Sequence, residues 1–163
     1  STAIHADNAE YQAAQALGCP IWHRSDVLAG LMREYQGIAI AGTHGKTTTS
    51  SLIGHLLVKA EVDPTIVVGG EVSTWQGNSL VKLVAAIGII TNIELDHTDH
   101  YNSLEEVIET FQTFAGNCQA LIGCWDCANV KEHIQPTISY SLQPDSGATY
   151  TADCVSYRAD GTT

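Results

Sequence analysis

One short loop of the chain has the residue types that hold the phosphates of a nucleotide. Gly42 and Gly45 bracket Thr43 and His44, and Lys46-Thr47 follows directly. Glycines let backbone N–H groups face a phosphate without a Cβ in the way, and a helix N-terminus adds partial positive charge. A lysine at this place can contact the β- and γ-phosphates, and a threonine hydroxyl can ligate Mg²⁺. The spacing therefore predicts a nucleoside triphosphate site.

The loop departs from the full nucleotide-loop pattern at one position. That pattern has a further glycine five positions before Gly45, where this chain has Ile40. The alternative interpretation is a glycine-rich turn between a strand and a helix that binds nothing. The Lys-Thr pair at the start of the helix favours phosphate binding over that alternative.

A second polar segment follows the apolar run from Val84 to Thr91, which is typical of a strand buried in a parallel sheet. Ligands of such sheets bind outside the carboxyl ends of the strands, where this segment and the glycine loop should meet. Its oxygen and imidazole groups could hold a divalent cation that bridges ATP to a second substrate. The alternative is a polar loop that caps the next helix, which we favour for Asp99 or His100 taken singly. The segment contains Asn92, Glu94, Asp96, His97, Asp99 and His100.

The elements that position these residues alternate between strands and helices, which predicts an α/β fold with a mostly parallel sheet flanked by helices. The predicted strands are 37–41, 65–68, 84–91, 120–123, 137–140 and 150–157. Asn8, Ser25 and Ser103 are predicted to cap helices, Ser103 in a capping box with Glu106. A further helix is predicted after Lys46 and a short one at 129–134. An apolar stripe on the helix after Lys46 is expected to pack on the sheet. Leu52, Ile53, Leu56 and Leu57 form that stripe.

Composition limits the possible functions. The chain has 163 residues and a formal charge of −11, from 18 carboxylates and 7 lysines and arginines, so generic binding of nucleic acid is not expected. No apolar run has the length of a membrane helix and no signal peptide opens the chain, which predicts no membrane insertion. Five irregularly spaced cysteines indicate a reduced, cytoplasmic protein. Cys124 and Cys127 have the spacing of half a metal site, but two packed thiols are the favoured interpretation.

The two motifs together resemble those of the Mur ligase family. The first is Gly42-Thr-His-Gly-Lys-Thr-Thr-Thr49, and the second is Thr91-Asn-Ile-Glu-Leu-Asp-His-Thr-Asp-His-Tyr101. The similarity also includes residues 1–24 and Val67-Val-Gly-Gly70, so it extends along nearly the whole chain. The resemblance implies that residues 1–35 are the end of an N-terminal, Rossmann-like UDP-binding domain with a linker helix. Residues 36–163 would then be an incomplete central ATP-binding domain, and a C-terminal domain would be absent.

The resemblance also implies an activity. Such a protein joins L-alanine to the lactyl carboxylate of UDP-N-acetylmuramate through an acyl phosphate, with ATP and Mg²⁺, in the synthesis of peptidoglycan. This fragment alone is expected to be inactive. Lys46 would contact the ATP phosphates, Thr47 would ligate one Mg²⁺ and His97 a second, and Asn92 would lie in the same site. The residues that would bind ATP are Gly42, Thr43, His44, Gly45, Lys46, Thr47 and Thr48.

One departure from the family concerns an acidic Glu-Ala-Asp-Glu-type segment whose glutamate would bind Mg²⁺. No such segment stands between Gly70 and Thr91, where Asn78-Ser79-Leu80 crosses the expected place. We expect a mobile loop of roughly 15–25 residues to be missing there, since active-site loops of this kind are often disordered without ligand. One Cα–Cα junction between Gly77 and Val81 would then be much longer than about 3.8 Å. The alternative is a true deletion.

Other assignments stay open. A sister ligase of the family, which adds a tripeptide to the same nucleotide sugar or acts on folates, would show the same two motifs. Another class of P-loop nucleotide-binding protein, such as a switch or a kinase, should have a full-length loop and a base-recognition motif, and neither is found. A third possibility is a fragment that binds without catalysing. The roles of His44, Asp96, Asp99 and His100 are not assigned.

Overall fold

The computed structural model describes residues 4–68, 80–96 and 101–155, together with the backbone of residues 157–158 and 161–162. Within these ranges the α/β architecture predicted from the sequence is confirmed. The helices are α1 (Ala9–Ala16), α2 (Arg24–Glu34), α3 (Lys46–Lys59), α4 (Leu104–Gly116) and α5 (Ala128–His133), with a 3-10 turn at Leu80–Lys82. The strands are β1 (Ile38–Ala41), β2 (Ala85–Ile90), β3 (Cys118–Cys124), β4 (Ile138–Ser141), β5 (Tyr150–Thr151), β6 (Tyr157–Arg158) and β7 (Gly161–Thr162).

Five strands form one sheet in the order β1-β2-β3-β4-β5, and every neighbouring pair is parallel. The register places Ala41, the last residue of β1, beside Ile90, the last residue of β2. The segments that leave these two strands therefore start side by side at the same edge of the sheet. Strands β6 and β7 form a separate antiparallel pair.

Helix α4 supplies the largest side chains of the core. Val107, Phe111 and Phe114 lie on one face of it and are buried together with Ile90 and Ile93. The helix begins where the sequence predicts, because the Ser103 side chain accepts the N–H of Glu106 at 3.4 Å. The Glu106 carboxylate in turn accepts the N–H of Asn102 at 2.9 Å.

Helix α2 packs against the same core rather than standing apart from it. Ala29 is buried, and the Lys82 ammonium donates a hydrogen bond of 2.7 Å to Asp26, which lowers the pKa of that carboxyl group. The prediction that Ser25 caps this helix was wrong. His23 is the N-cap, because its Nδ1 lies within reach of both the N–H of Ser25, at 3.2 Å, and the Ser25 hydroxyl, at 2.7 Å.

Two predicted strands differ from the structure. Residues 65–68 are irregular and exposed, although their β-branched run resembles a buried strand; the sheet ends at β1, and no described strand pairs with its free edge. In the predicted strand 150–157 only Tyr150–Thr151 joins the sheet, because Cys154 takes a left-handed backbone (φ +58°) that interrupts an extended run.

The stripe on α3 is also less buried than expected, since Leu52 is 61% exposed and Leu56 is 65% exposed. Among the helices of the described residues, none has both the length and the apolar character needed to cross a bilayer.

Candidate nucleotide-binding site

The N-terminus of α3 is open toward solvent at the edge of the sheet. Helices α1, α2 and α4 begin with side-chain caps, from Asn8, His23 and Ser103. Helix α3 begins after Gly45, which has a left-handed backbone (φ +80°) and provides no side-chain cap. The N–H groups of its first turn have no partner within the helix and add to the positive end of its dipole. This geometry suits a bound anion.

Position 42 does not tolerate a residue larger than glycine. Its φ of +153° is one that side chains rarely adopt, and a Cβ built there would lie 1.9 Å from Oγ1 of Thr91. The close approach lets the Thr91 hydroxyl donate to the carbonyl oxygen of His44 at 2.7 Å. The loop after β1 and the segment after β2 are therefore packed directly on each other.

Backbone and side-chain hydrogen bonds join these two segments, and we call this set the loop clasp (residues 43–44 with 91–94). The amide of Asn92 accepts the N–H of His44 at 2.8 Å and donates to the His44 carbonyl at 3.2 Å. The Thr43 hydroxyl accepts the N–H of Glu94 at 2.9 Å and donates to the Glu94 carbonyl at 3.2 Å. The N–H of Thr43 donates to the Asn92 carbonyl at 3.2 Å. The clasp fixes the loop conformation without a ligand.

The Lys46 side chain folds back over the loop. Its Nζ donates to the carbonyl oxygens of Gly42, at 2.5 Å, and Thr43, at 2.8 Å. Burial lowers the pKa of Lys46, while the negative charge of Asp96 acts in the opposite direction. The ammonium group thus lies beside the open helix end, where phosphate oxygens could replace its two carbonyl contacts.

The residues at the start of α3 fit a magnesium–nucleotide complex. Thr47 and Thr48 lie in the first turn and are exposed. Within the described part of the chain, no group of three or more His, Cys, Asp or Glu side chains could hold a metal ion. Mg²⁺ usually keeps several waters and takes few protein ligands beside the phosphates, so a single Thr47 hydroxyl is compatible with it. His97, Asp99 and His100 lie outside the described residues, and the assignment of His97 as a ligand stays a prediction.

The structure brings most of the predicted site residues together. Gly42, Thr43, His44, Gly45 and Lys46 form the loop, and Asn92 lies against it. Both polar atoms of the Asn92 amide are used on the backbone of His44, which indicates a role in shaping the loop. His44 Nε2 lies 3.6 Å from Oε2 of Glu94, with both side chains largely exposed.

Sequence reasoning missed three contributors to this edge of the sheet. Thr91 donates to the loop, and Asp126 and Asn129 line a groove of about 450 Å³ beside the clasp, at the carboxyl ends of β2 and β3. The signal for Thr91 was available, because it follows the last residue of β2 just as Gly42 follows that of β1. Cys124 and Cys127 line the same groove and are free, half-buried thiols.

Comparison with known proteins gives clear sequence relatives. No family model matches the chain. It is 59% identical to a UDP-N-acetylmuramate–L-alanine ligase of Nostoc punctiforme over 181 residues, which cover 100% of this chain and 38% of the relative. The ligases of Synechococcus elongatus (59% over 180 residues; 99% of this chain, 38% of the relative) and Microcystis aeruginosa (56% over 175 residues; 96% and 37%) are similar. The chain thus spans little more than a third of the curated relatives it matches.

The Nostoc alignment is longer than the chain. It extends over 181 residues where the chain has 163, so at least 18 positions (181 minus 163) have no counterpart here. The difference is of the size that we expect for the acidic segment. Leu80 and Val81 are continuous within the 3-10 turn, and the other junctions proposed for that segment involve residues 77–79, outside the described residues.

Solved structures show the same fold. The chain superposes on the UDP-N-acetylmuramate-alanine ligase MurC of Thermotoga maritima with a TM-score of 0.77 and 24% identity, covering 94% of this chain and 40% of that one. A pseudomurein peptide ligase type C from Methanothermus fervidus gives a TM-score of 0.51 at 20% identity, covering 69% and 29%. The identity along its whole length to the cyanobacterial ligases shows that the chain belongs to the Mur ligase family.

Proposed function

We propose that this chain is the ATP-binding part of a ligase that joins L-alanine to UDP-N-acetylmuramate. The observation that carries the proposal is the open N-terminus of α3, with the Lys46 ammonium beside it and the loop clasp behind it. The names of the relatives, which are 53–59% identical to the chain, support the choice of substrates. Because the chain spans 38% of those relatives, the activity belongs to a longer protein.

The residues of the site have separate roles in this proposal. The N–H groups from Gly45 to Thr48 would bind phosphate oxygens, because those of Thr43 and His44 already donate to Asn92. Lys46 would exchange its two carbonyl contacts for the β- and γ-phosphates. The Thr47 hydroxyl would ligate Mg²⁺, and His97 would ligate a second ion. A bound Mg²⁺ supplies charge neutralisation where two negative groups must approach each other. Asn92 would keep the loop amides directed at the phosphates.

The proposed reaction activates a carboxylate, which is a poor electrophile at neutral pH. An oxygen of the lactyl carboxylate attacks the γ-phosphorus, the bond from that phosphorus to the β-phosphate oxygen breaks, and ADP leaves. The amine of L-alanine then attacks the carbonyl carbon of the acyl phosphate, and inorganic phosphate leaves with the electron pair of the broken C–O bond. The amine loses a proton as the amide forms. Phosphoryl transfer depends mainly on positioning and charge stabilisation, which the loop amides and Lys46 would provide.

The same proposal assigns the chain to two domains of a longer protein. Residues 1–35 would end a UDP-binding domain and lead through α2 into the ATP-binding domain, residues 36–163. The acidic balance of the chain argues against nucleic acid as a partner, and the proposed pathway of cell-wall precursors places the protein in the cytoplasm.

The test is a measurement of phosphate release by a longer protein, one that contains this chain and is as long as the ligases it matches. We expect release to require UDP-N-acetylmuramate, L-alanine, ATP and Mg²⁺ together, and Lys46→Ala to abolish it. Lys59→Ala is the matched control, because Lys59 lies exposed in the last turn of the same helix. Turnover with a tripeptide but not with alanine would move the assignment to a sister ligase. Phosphate release that is indifferent to Lys46 would contradict the proposal.

A further inference from the structure

The turn between β3 and α5, residues Cys124 to Asn129, is tied firmly to the next strand of the sheet; we call it the β3–α5 corner. The N–H of Trp125 donates to the carbonyl of Tyr140 at 2.7 Å. The Asp126 carboxylate accepts the N–H of Leu142 at 2.8 Å and a short hydrogen bond from the Ser141 hydroxyl. The corner is therefore a rigid support rather than a loose surface turn.

This corner holds the backbone of a single residue in the neighbouring segment. Asn129 donates from its side-chain amide to the carbonyl oxygen of Ile93 at 2.7 Å. The Cys127 sulfur accepts the N–H of Ile93 at 3.4 Å and lies 3.8 Å from its carbonyl oxygen. The Ile93 side chain is completely buried, so this residue is fixed by its backbone and by its packing.

Ile93 stands between the two residues that grip the phosphate loop. Asn92, on one side, makes both amide contacts to His44, and Glu94, on the other, exchanges two hydrogen bonds with the Thr43 hydroxyl. A shift of the Ile93 backbone would move both halves of the loop clasp together. Hydrogen bonds thus connect β4 to the loop through the β3–α5 corner and Ile93.

We propose that Asn129 and Cys127 are positioning residues for the phosphate loop, acting through Ile93. The consequence for nucleotide affinity rests on the proposed function. The hydrogen bond from Asn129 fixes the carbonyl of Ile93, and the Cys127 thiol fixes its N–H, so that Asn92 and Glu94 hold the loop in its binding conformation. The hydrogen bonds that these two side chains make within the described residues go to Ile93 and not to the loop itself.

The chain offers a matched control for Asn129. Asn117 is also half-buried, and its amide also donates to a backbone carbonyl 36 residues away, that of Val81 at 2.8 Å. Asn117 follows α4, at the opposite end of β3 from the corner. Asn129→Leu and Asn117→Leu remove equivalent hydrogen bonds without a change of charge, so both should lower the melting temperature to a similar degree.

The first measurement is amide hydrogen exchange of the unliganded chain. We expect Asn129→Leu to speed exchange of the Thr43 and His44 amides on the order of fivefold relative to strand amides, and Asn117→Leu to leave that ratio unchanged. Cys127→Ala should act in the same direction, and Cys127→Ser, which keeps a donor and an acceptor, should restore most of the protection. Equal effects of the two asparagine variants on the ratio, or no effect of Asn129→Leu and Cys127→Ala, would overturn the proposal.

The second measurement is the Kd for Mg-ATP of the same variants. Asn129→Leu is expected to raise the Kd on the order of fivefold, and Asn117→Leu to leave it within twofold of the parent value. An unchanged Kd beside faster loop exchange would overturn the link to nucleotide affinity. A parent chain that does not bind ATP would count against the proposed function, and the exchange data would still decide whether the corner positions the loop.

Discussion

Helices α3 and α4 each follow a strand of the same sheet and each carry an apolar stripe, yet they are used in opposite ways. Helix α4 buries Val107, Phe111 and Phe114, whereas α3 buries only Gly54. Helix α4 begins with a serine cap, and α3 begins with an uncapped glycine. The face of α4 holds the fold together, while the end of α3 is left available for a ligand.

This difference has an energetic consequence. A 14-residue helix is only marginally stable alone, and within the described part of the chain α3 buries little of its apolar stripe. Gly54 packs closely on Ile66, and Ile53 and Leu57 are half-buried. An anion that satisfies the first-turn N–H groups should therefore stabilise α3 more than it stabilises α4.

A substitution in the core tests whether α4 holds the fold together. Phe114 is completely buried, so Phe114→Ala removes its packing and leaves a cavity in the core. We expect the free energy of unfolding to fall by about 3–5 kcal/mol, measured by urea denaturation. A loss below about 1 kcal/mol would show that α4 is not the main support of the core.

Gly42→Ala tests whether the loop tolerates a side chain. The added Cβ would overlap the Thr91 hydroxyl and force the clasp open, so the Kd for Mg-ATP should rise about tenfold or more. Gly116→Ala is the control, because nothing lies within 4 Å of its Cβ position and it ends α4, away from the loop. Equal Kd values for the two variants would show that the contact with Thr91 does not shape the site.

Lys46→Met removes the charge beside the open end of α3. Charge-assisted hydrogen bonds to phosphate are worth about 1.5–3 kcal/mol, so we expect the Kd for Mg-ATP to rise about 10- to 100-fold by calorimetric titration. Lys59→Met, at the other end of α3, should change the Kd less than twofold. Equal rises in Kd for the two variants would show that positive charge attracts the nucleotide in general and that Lys46 makes no specific contact.

The pH dependence of ATP binding should carry the signature of Lys46. Burial lowers the pKa of this ammonium, so it loses its proton at a lower pH than an exposed lysine does. As the pH rises through that lowered pKa the positive charge disappears, and affinity for Mg-ATP should fall. Lys46→Met should flatten this alkaline decline. A decline of the same size in the variant would assign it to another group.

The smallest change in the free energy of unfolding is expected from a substitution in the apolar stripe of α3. Leu56 is 65% exposed, so Leu56→Ala should change the free energy of unfolding by no more than about 0.5 kcal/mol. A loss comparable to that of Phe114→Ala would mean that this stripe is covered in solution and would remove the contrast between the two helices.

The sequence predicted the elements whose signals are local. The cap of α4 could be predicted because Ser103 and Glu106 are three positions apart. The phosphate loop could be predicted because its glycines and Lys46-Thr47 lie close together in the sequence. Residues 65–68 were wrongly predicted as a strand, because β-branched residues favour extended backbone whether or not a neighbouring strand exists.

The hydrogen bonds of Asn129 and Cys127 to Ile93 could not be predicted from pattern. They join residues 36 and 34 positions apart and depend on the register of β2 with β3. The partners in these contacts are backbone atoms of Ile93, which are the same in every residue type and leave no mark on the sequence. The positions that shape the loop from a distance were therefore the ones missed.

Backbone amide signals, followed by NMR during titration with Mg-ATP, report directly on whether the N-terminus of α3 binds phosphate. We expect saturable shifts of the Gly45, Lys46, Thr47 and Thr48 amides that adenosine does not reproduce and that Lys46→Met weakens strongly. Amides at the start of α4, which Ser103 already caps, should stay in place. Shifts that adenosine reproduces in full, or that leave the first turn of α3 unaffected, would contradict the claim that this helix end binds phosphate.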